Sequence, residues 1–574
     1  MYINNYRRRS EAVFLSFFIF LIFCIARLFY IQLFRSSYLA GIANKQHNLY
    51  VELEPVRGII YDSNLKPQVL NIPVDSLYAS PYEIPDKDKE TIIRQLSPIL
   101  HLDYAYLKDR LCRKKSFIWV ARKITPEQSQ AIKTLNIKGL GFLKENKRSY
   151  PNSYLASHII GFAGLDNDGL EGLEAFCDKY LKGEAGWAMF LRDARQKKLD
   201  LWEKMVIPKD GYNLVLTVNE VIQYIAEREL DKAFNLYHAK GASIVVMDPH
   251  TGAILALANR PTFDLNNASG ANSAEMRNRA VCDLFEPGSA FKIVTASAAI
   301  EEKKVSEEDK FFCENGSYRV ATHTLHDHRP HGWLTFKEVI QESSNIGTTK
   351  VAQILGNDII YRYIKLFGFG SKLGVDLSGE TPGMIREPRF WSKISIAAIP
   401  IGQEVGVTAL QLISAISVIA NGGQLMKPYI VQEVRDKYGE TIKKFTPVMI
   451  RKVISLDTSS RMIKILKGAV EEGTGKLAKI PGVACAGKTG TAQKLELNGT
   501  YSHKKFIATF IGFAPADDPL IAIAVVVDEP HPYYFGGVVA APVFKTVASD
   551  CIRYLKANQS PGYHIESDED KAFN

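Results

Sequence analysis

The feature that most constrains this chain is an apolar stretch at residues 12–34, which carries a single charge, Arg27. As a helix rising about 1.5 Å per residue, it would reach about 34 Å, enough to cross a hydrocarbon core of ~30 Å. Three arginines, residues 7–9, precede it, and basic residues favour the cytoplasmic side of a membrane. The sequence therefore predicts one uncleaved transmembrane helix, with the rest of the chain outside. The alternative is a cleaved signal peptide, but this apolar stretch is longer than the apolar region typical of one, and no small-residue cleavage site follows it.

Composition indicates several globular domains after this helix. The chain has 574 residues, of which 46% are hydrophobic and 23% charged, so most of it can bury a core. The net charge of +9 is spread over the sequence without a long basic block. We therefore predict no nucleic-acid partner and at most a weak attraction to anionic membrane surfaces. Seven scattered cysteines with no CxxC pair exclude a disulfide scaffold and a cysteine-ligated zinc site.

Strand patterns lie at both ends of a long, mainly helical region. The turn signal Asp210-Gly211 opens this region, and a charged helix is predicted before it, over Asp86–Leu96. Strands at both ends with helices between them predict an α+β domain whose antiparallel sheet is built from distant segments. The predicted elements are a strand at Asn213–Val218, a helix at Glu220–Tyr237, hairpin strands at Ala242–Met247 and Ala253–Ala258, a helix at Thr335–Glu342, and strands at Lys505–Phe513 and Leu520–Val527.

Three short motifs follow one another in the second half of the chain: Ser289-Ala-Phe-Lys292, Ser343-Ser-Asn345 and Lys488-Thr-Gly490. Each alone occurs by chance in long chains. Their order matches the S-x-x-K, S-x-N and K-T-G set of the active-site serine enzymes that react with penicillin.

The first two motifs suit nucleophilic catalysis. Ser289 begins an apolar segment, Ala290–Ile300, that is typical of a buried helix. Lys292 would lie on the same face as the serine, where burial would lower its proton affinity and let it act as a base. The alternative is a capping serine followed by a surface lysine. A hydroxyl at Ser343 would relay a proton to a leaving amine, and an amide at Asn345 would hold a peptide carbonyl.

The third motif is typical of an edge strand. Gly490 permits close approach of another backbone, and a free strand edge can pair with an extended peptide. The backbone N–H groups of Ser289 and Thr491 would then form an oxyanion hole.

On these residues the chain resembles the class B penicillin-binding proteins over nearly its whole length. Further motifs of that family are Arg57–Asp62, Arg148–Pro151, Gly169–Glu174, Gly402-Gln403 and Gly536 to Pro542. The resemblance implies a single transmembrane helix, an elongated β-rich pedestal domain, and a penicillin-binding/β-lactamase-like transpeptidase domain with helices on both faces of its sheet. The implied segments are a cytoplasmic tail at 1–11, the transmembrane helix at 12–34, the pedestal (dimerisation-type) domain at 45–210, the transpeptidase domain at 211–556 and an acidic tail at 557–574.

The resemblance also implies an activity, peptidoglycan D,D-transpeptidation without metal or cofactor. Ser289 would attack the penultimate D-Ala carbonyl of a stem peptide, D-Ala would leave, and an amine of a second stem peptide would resolve the acyl-enzyme. β-Lactams would be inhibitors. The implied catalytic residues are Ser289, Lys292, Ser343, Asn345 and Lys488, and the implied substrate-binding residues are Thr489, Gly490 and Thr491.

Within the family, the second motif resembles the branch that acts in cell division. That branch has Asn at the third position, as Asn345 here, where the Gram-negative elongation branch usually has Asp. The stretch at residues 192–195 also resembles a division motif, although Gln196 and the segment Ser63–Leu65 depart from the usual residues. A polytopic glycosyltransferase and other division proteins are the implied partners, since no glycosyltransferase features precede the pedestal. Alternatives are an elongation-type enzyme, a D,D-carboxypeptidase or β-lactamase, and a non-catalytic β-lactam sensor or scaffold.

One cluster lies outside these motifs. His323, His326, Asp327, His328 and His331 fall within nine residues, shortly before the second motif. Such clusters can bind zinc, but the segment also contains Arg329-Pro330 and is polar. We therefore predict a solvated loop that lines the cleft, with a zinc site as the alternative.

Overall fold

The computed structural model describes residues 2–113, 115, 117–192, 198–496 and 499–559. The stretch at 192–195 is described only at Arg192, and the acidic tail lies outside the described residues from position 560 onward. Up to residue 206, the helices are α1 (Tyr2–Phe34), α2 (Ser36–His47), α3 (Asp86–Leu100), α4 (Tyr104–Leu111), α5 (Pro126–Thr134), α6 (Ser157–Ile160), α7 (Gly172–Phe176) and α8 (Asp178–Leu181). The strands in this part are β1 (Asn48–Leu53), β2 (Ile60–Tyr61), β3 (Pro67–Ala79), β4 (Ile118–Ile124), β5 (Leu140–Ser149), β6 (Gly186–Arg192) and β7 (Lys198–Val206).

After residue 206 the described chain is richer in helix. Its helices are α9 (Glu220–Leu236), α10 (Ser273–Met276), α11 (Arg279–Cys282), α12 (Lys292–Glu301), α13 (Phe336–Gln341), α14 (Asn345–Leu355), α15 (Asn357–Leu366), α16 (Ser395–Ala398), α17 (Ala409–Ala420), α18 (Leu456–Glu471), α19 (Gly536–Val539) and α20 (Ala541–Gln559). Its strands are β8 (Asn213–Leu216), β9 (Gly241–Met247), β10 (Ile254–Arg260), β11 (Lys310–Phe312), β12 (Ser317–Val320), β13 (His323–His326), β14 (Trp333–Thr335), β15 (Gln424–Met426), β16 (Val431–Arg435), β17 (Thr441–Lys444), β18 (Met449–Lys452), β19 (Ala486–Leu495), β20 (Tyr501–Ala514) and β21 (Ile521–Asp528).

The chain folds into two compact units. The first contains the segment up to Val56 together with Pro73–Asn146 and Gly183–Asp210. The second contains Arg57–Ile72, Lys147–Lys182 and the chain from Gly211 onward. One unit boundary thus falls at Asp210, where the sequence has its turn signal.

The first unit contains the apolar helix and a small core of its own. Residues 7–34 of α1 are long and apolar enough to cross a membrane. Strands β1, β6 and β7 form an antiparallel sheet. The second part of β3 pairs with β4, and buried side chains such as Leu77, Leu96, Leu107 and Ile118 join these strands to α3 and α4. The predicted helix at Asp86–Leu96 is confirmed and runs four residues further, to Leu100.

The second unit is built on a five-stranded antiparallel sheet in the order β10-β9-β21-β20-β19. Alternate residues of β21 enter different cores. Ala522, Ala524 and Val526 belong to the core that includes α12 and α17, and Ile523 and Val525 belong to the core that includes α9 and α20. A strand buried on both faces has a continuous run of apolar residues, and this run is what allowed β21 to be predicted from the sequence. The predicted α+β fold, with helices on both faces of an antiparallel sheet, is confirmed.

The sequence-predicted elements of this unit agree with the structure. The helix predicted to Tyr237 ends one residue earlier, and the strand predicted to Val218 ends at Leu216. The predicted hairpin is β9 with β10. All seven cysteines are free thiols.

The motifs Arg57–Asp62, Arg148–Pro151 and Gly169–Glu174 meet in one buried ionic cluster of the second unit. The Glu174 carboxylate accepts from Arg57 Nε at 2.6 Å and from Arg148 Nε at 2.7 Å. Arg57 also donates to Asp178 at 2.6 Å and to the Asn167 carbonyl at 2.8 Å. Because Arg57 and Glu174 are 1% and 0% exposed, each charge depends on its partners rather than on water.

Candidate active site

The first motif lies on a 3₁₀ turn, Gly288–Phe291, that leads into α12. Gly288 has a φ of +54°, which glycine adopts without strain. Ser289 is half-buried on this turn, and α12 is buried from Lys292 to Ile300. The buried helix is confirmed, although its first turn is 3₁₀. In a 3₁₀ turn, residues three apart lie on the same side, which keeps Lys292 beside Ser289.

The second motif lies at the junction of α13 and α14. Ser343 has a φ of +62°, and the Ser344 hydroxyl caps α14 by accepting from the Gly347 N–H at 2.9 Å. Lys292 Nζ donates to the Ser343 carbonyl oxygen at 2.6 Å and lies 3.2 Å from Ser343 Oγ. It also donates to Asn345 Oδ1 at 2.8 Å. One buried lysine therefore joins the first motif to the second.

The third motif lies on β19, at the end of the sheet, so the predicted edge strand is confirmed. Lys488 Nζ donates to Ser343 Oγ at 2.9 Å. A side chain at Gly490 would place its Cβ 2.5 Å from the Pro287 carbonyl oxygen and 3.3 Å from the Ala290 nitrogen. The absence of a side chain at this position lets β19 pack directly against the turn that carries Ser289.

Two threonines of β19 have different surroundings. The hydroxyls of Thr489 and Thr474 are 2.9 Å apart, so Thr489 is turned towards the segment after α18. Thr491 Oγ1 accepts from the Gly536 N–H at 3.0 Å, which leaves the hydrogen of its own hydroxyl for a ligand. Sequence reasoning did not identify Thr474, since no local pattern points to it. Gly536 was noted only as a motif position.

The two lysines are fully buried and have perturbed proton affinities. Burial lowers the pKa of Lys292 well below its ordinary value, and the neighbouring Lys488 lowers it further, while Asp327 and Cys313 oppose the shift. Burial lowers the pKa of Lys488 to about 7, with Glu342 opposing. Burial therefore favours the unprotonated amine of Lys292, the form that can accept a proton, and near neutral pH Lys488 retains part of its charge.

Two residues of the histidine cluster contact the second motif. The His326 carbonyl accepts from Asn345 Nδ2 at 2.9 Å, and Asp327 Oδ1 accepts from the Asn345 N–H at 2.5 Å. The His328 ring packs on Phe535 with centroids 4.7 Å apart. Among the residues that the structure describes, no group of three or more His, Cys, Asp or Glu side chains is arranged to hold a metal ion.

The structure thus brings Lys292, Ser343, Asn345 and Lys488 together by direct hydrogen bonds. It also places Ser289 on a turn whose flanking residues Pro287 and Ala290 pack against Gly490. A Cβ on Gly288 would similarly lie 2.6 Å from the Thr491 carbonyl oxygen. Residues from three distant parts of the chain therefore lie close together at one site.

Two family models match this chain. The model of the penicillin binding protein transpeptidase domain matches residues 242–549, and the model of the penicillin-binding protein dimerisation domain matches residues 52–216.

Full-length relatives are similar over most of the chain. Stage V sporulation protein D of Bacillus subtilis is 37% identical, over 97% of this chain and 87% of its own length. The probable peptidoglycan D,D-transpeptidase PenA of Neisseria meningitidis is 33% identical, over 92% of this chain and 90% of its own length. The peptidoglycan D,D-transpeptidase FtsI of Escherichia coli is 30% identical, over 93% of this chain and 90% of its own length.

Solved structures share the fold. Penicillin-binding protein 3 of Mycobacterium tuberculosis, complexed with aztreonam, has a TM-score of 0.69 and 28% identity, covering 89% of this chain and 98% of that chain. A peptidoglycan synthetase of Bifidobacterium adolescentis has a TM-score of 0.73 and 25% identity, covering 90% of this chain and 98% of that chain.

Proposed function

This chain belongs to the class B penicillin-binding proteins and is a serine-type peptidoglycan D,D-transpeptidase, and we propose that Ser289 is its nucleophile. The observation that carries this assignment is the convergence of two fully buried lysines, Lys292 and Lys488, on the Ser343 hydroxyl. They meet beside the turn that presents Ser289. Burying two amines is costly, and chemistry at that point gives a reason for it.

In the acylation step, Ser289 Oγ attacks the carbonyl carbon of the penultimate D-Ala of a stem peptide. Its proton passes to the unprotonated amine of Lys292, whose pKa is held low by burial and by Lys488. The backbone N–H groups of Ser289 and Thr491 stabilise the oxyanion of the tetrahedral intermediate. The close packing of β19 against the nucleophile turn supports this pair of donors.

The intermediate then collapses, and the C–N bond to the terminal D-Ala breaks. The leaving amine takes a proton from the Ser343 hydroxyl, which regains one from the protonated Lys292, since both lysines hydrogen-bond to that hydroxyl. An amine of a second stem peptide attacks the acyl-enzyme by the reverse sequence. A new peptide bond forms and Ser289 is released, so protons balance over the cycle without metal or cofactor.

The edge of β19 provides the binding surface for the donor peptide. An extended stem peptide adds beside Thr489, Gly490 and Thr491 as a further strand, which explains why this strand lies at the end of the sheet. The hydroxyl hydrogen of Thr491 and the charge of Lys488 then bind the terminal carboxylate. β-Lactams occupy the same position as inhibitors.

The membrane segment and the cellular role follow from the same family. Residues 12–34 anchor the protein, with residues 1–11 cytoplasmic and the catalytic domain on the outer side of the plasma membrane, periplasmic or extracellular. Asn345 in the second motif and the similarity to FtsI support a role in septal wall synthesis. A polytopic glycosyltransferase and other division proteins are the proposed partners.

Hydrolytic alternatives need a general base that activates water on the acyl-enzyme. In class A β-lactamases this base is a glutamate. The glutamate in the comparable loop of this chain, between the second and third motifs, is Glu387, which is 53% exposed and paired with Arg389 at 2.9 Å. It precedes Pro388 at the start of a surface 3₁₀ turn. This position favours transfer to an amine over release by a β-lactamase or D,D-carboxypeptidase.

The test is labelling of the purified full chain with a fluorescent penicillin. We expect one covalent label on Ser289, located by peptide mapping, that persists for many minutes because hydrolysis without a general base is slower by roughly 10²–10⁴. Ser289→Ala should give no label. Glu387→Gln should leave the lifetime of the adduct unchanged.

Label on another residue, or label retained by Ser289→Ala, would contradict the nucleophile assignment. Release within seconds at neutral pH, slowed by Glu387→Gln, would instead identify a hydrolase. A non-catalytic sensor would take the label but would release no D-Ala from a stem-peptide donor supplied with an amine acceptor.

A further inference from the structure

Three consecutive residues of the histidine cluster contact different parts of the site. The His326 carbonyl accepts from the Asn345 side chain, and the Asp327 carboxylate binds the start of α14. His328 packs on Phe535. The next residue, Gly536, donates its N–H to Thr491 Oγ1. This tripeptide thus links the second motif to the segment that supports the third, a function the sequence did not suggest for it.

Asp327 makes the most extensive of these contacts. Its Oδ1 accepts from the Asn345 N–H at 2.5 Å and from the Ile346 N–H at 3.0 Å. Its Oδ2 accepts from the Ser344 hydroxyl at 2.6 Å. A carboxylate at a helix N-terminus satisfies amides that have no partner within the helix and complements the helix dipole. Here the helix is α14, and its first residue is Asn345.

The neighbouring carbonyl fixes which way the Asn345 amide faces. A backbone carbonyl only accepts hydrogen bonds, so the NH₂ group must be the end directed at His326. The amide oxygen is then directed at Lys292 Nζ, 2.8 Å away. The second hydrogen of the NH₂ group remains for a substrate carbonyl. Two contacts from one tripeptide therefore determine both the place and the orientation of this side chain.

The segment that carries Asp327 is itself fastened to α14. Lys350, in the second turn of that helix, donates to the Phe312 carbonyl at 2.7 Å and to Glu314 at 2.6 Å. Its ammonium also lies 5.0 Å from the centre of the Tyr318 ring. The stretch from Phe312 to Tyr318, which leads to Asp327, is therefore held against α14 independently of the Asp327 carboxylate. Removing that carboxylate should release the Asn345 end of α14 without releasing this stretch.

We infer that Asp327 is a positioning residue of the transpeptidase, holding Asn345 so that its amide bridges Lys292 and the substrate carbonyl. The inference rests on the proposed roles of Ser289, Lys292 and Asn345. It assigns to the histidine-rich segment a catalytic support function in place of metal binding.

The experiment measures the second-order rate constant for acylation of the full chain by a fluorescent penicillin, together with the melting temperature. Asp327→Ala should lower the rate constant about 10–100-fold, because a small displacement of a positioned group has a large effect on rate. Asp327→Asn should recover it to within about threefold, because the amide oxygen can still accept from the Asn345 and Ile346 N–H groups, and the NH₂ group can donate to the Ser344 oxygen where the carboxylate accepted. Asp309→Ala is the matched control. Asp309 is an exposed aspartate whose carboxylate also accepts from a backbone N–H, that of Ser306, but contacts none of the three motifs.

A pH profile separates positioning from mere stabilisation. The charged and titratable groups that face Lys292 are Lys488, Asp327 and Cys313, and of these Asp327 and Cys313 favour the protonated lysine. Asp327→Asn removes that negative charge, so Lys292 should lose its proton at lower pH. The acid limb of the acylation profile should therefore move to lower pH in this variant, and it should stay in place in Asp309→Ala.

The route through Asn345 is tested by a double variant. If Asp327 acts through that amide, Asp327→Ala combined with Asn345→Ala should be no slower than Asn345→Ala alone. The inference would be overturned if the fold losses of the two single variants multiplied in the double variant. It would also be overturned if Asp327→Ala had a lower melting temperature but a wild-type rate constant per folded molecule. Where the alanine variant does not fold, an unmoved acid limb in Asp327→Asn would overturn it. Only label mapped to Ser289 is counted, so failure of the nucleophile assignment would be recognised separately.

Discussion

At the scale of single residues, the site depends on an asymmetry between two buried lysines. Both approach Ser343 Oγ, and burial lowers the pKa of both. Each lysine has negative groups that oppose the lowering, Glu342 for Lys488 and Asp327 with Cys313 for Lys292, but Lys292 alone has its pKa lowered further by a neighbouring positive group, Lys488. This difference supports the roles proposed above, in which Lys292 accepts a proton and Lys488 keeps charge to attract a carboxylate, although the two residues have the same chemistry in isolation.

This asymmetry predicts the pH dependence of acylation. Lys488 has a pKa of about 7, so it is charged below that pH and neutral above it. Because a charged Lys488 attracts the carboxylate of penicillin, the second-order rate constant for acylation should fall as the pH rises through about 7. Stopped-flow labelling between pH 5 and 9 would measure it.

Lys488→Gln provides the control for this prediction. It should acylate more slowly at every pH and show no alkaline limb near pH 7, because glutamine has no charge to lose. An alkaline limb unchanged in Lys488→Gln would assign the limb to another group and contradict the prediction.

The residues that sequence could and could not identify differ in how local their signals are. Ser289, Lys292, Ser343, Asn345 and Lys488 lie in short motifs, so each was predictable, and the structure joins the last four by hydrogen bonds. Asp327 and Thr474 contact these motifs from segments that no spacing rule relates to them. The Ser344 cap of α14 can be predicted from its neighbours in sequence. The Asp327 carboxylate that accepts from the Ser344 hydroxyl lies in the connection between β13 and β14, so no local pattern indicates it.

At the scale of elements, periodic patterns explain what sequence predicted well. Strands β9 and β21, and β20 from Ile507 onward, are buried on both faces and give runs of apolar residues, so they can be predicted even where their ends are placed a residue or two wrong. The segments 57–72 and 147–182 carry no comparable signal. They join each other through contacts between distant residues, such as that of Arg57 with Glu174, and they join the chain after Gly211 through hydrogen bonds such as that of the Ile59 N–H with Asn213.

That buried ionic cluster predicts a large effect on stability. Glu174→Gln removes the carboxylate that receives Arg57 and Arg148 and leaves two buried guanidinium groups short of a negative partner. Breaking such a pair costs about 3–5 kcal/mol. We expect denaturant unfolding monitored by tryptophan fluorescence to show a loss of this size in the transition of the second unit.

An exposed pair of similar separation is the control. Arg94 and Glu90 are 3.2 Å apart with side chains 73% and 58% exposed, so Glu90→Gln should change the free energy of unfolding far less than Glu174→Gln does. Equal losses from the two substitutions would mean that burial of the Glu174 cluster does not determine its contribution.

At the scale of the whole molecule, anchoring and chemistry are assigned to different parts of the chain. The apolar helix belongs to the first unit, and every residue of the candidate site belongs to the second. Each unit has a hydrophobic core made from its own segments. The exposed apolar side chains of α1, among them Phe14, Phe17 and Phe23, have no role in either core and suit a lipid environment.

This separation predicts the behaviour of a shortened protein. Deleting residues 1–36 removes the apolar surface that requires detergent, so the remaining chain should be soluble. It should also be acylated by penicillin at Ser289 with a rate constant within about threefold of the full chain, because no group of the deleted segment stabilises the transition state.

The full chain in detergent and the Ser289→Ala form of the shortened protein are the matched controls. Circular dichroism and size-exclusion chromatography must first establish that the shortened protein is folded and monodisperse. A shortened protein that passes these checks and yet is acylated more than tenfold more slowly would show that the membrane segment contributes to the geometry of the site. The prediction that anchoring and catalysis are independent would then be wrong.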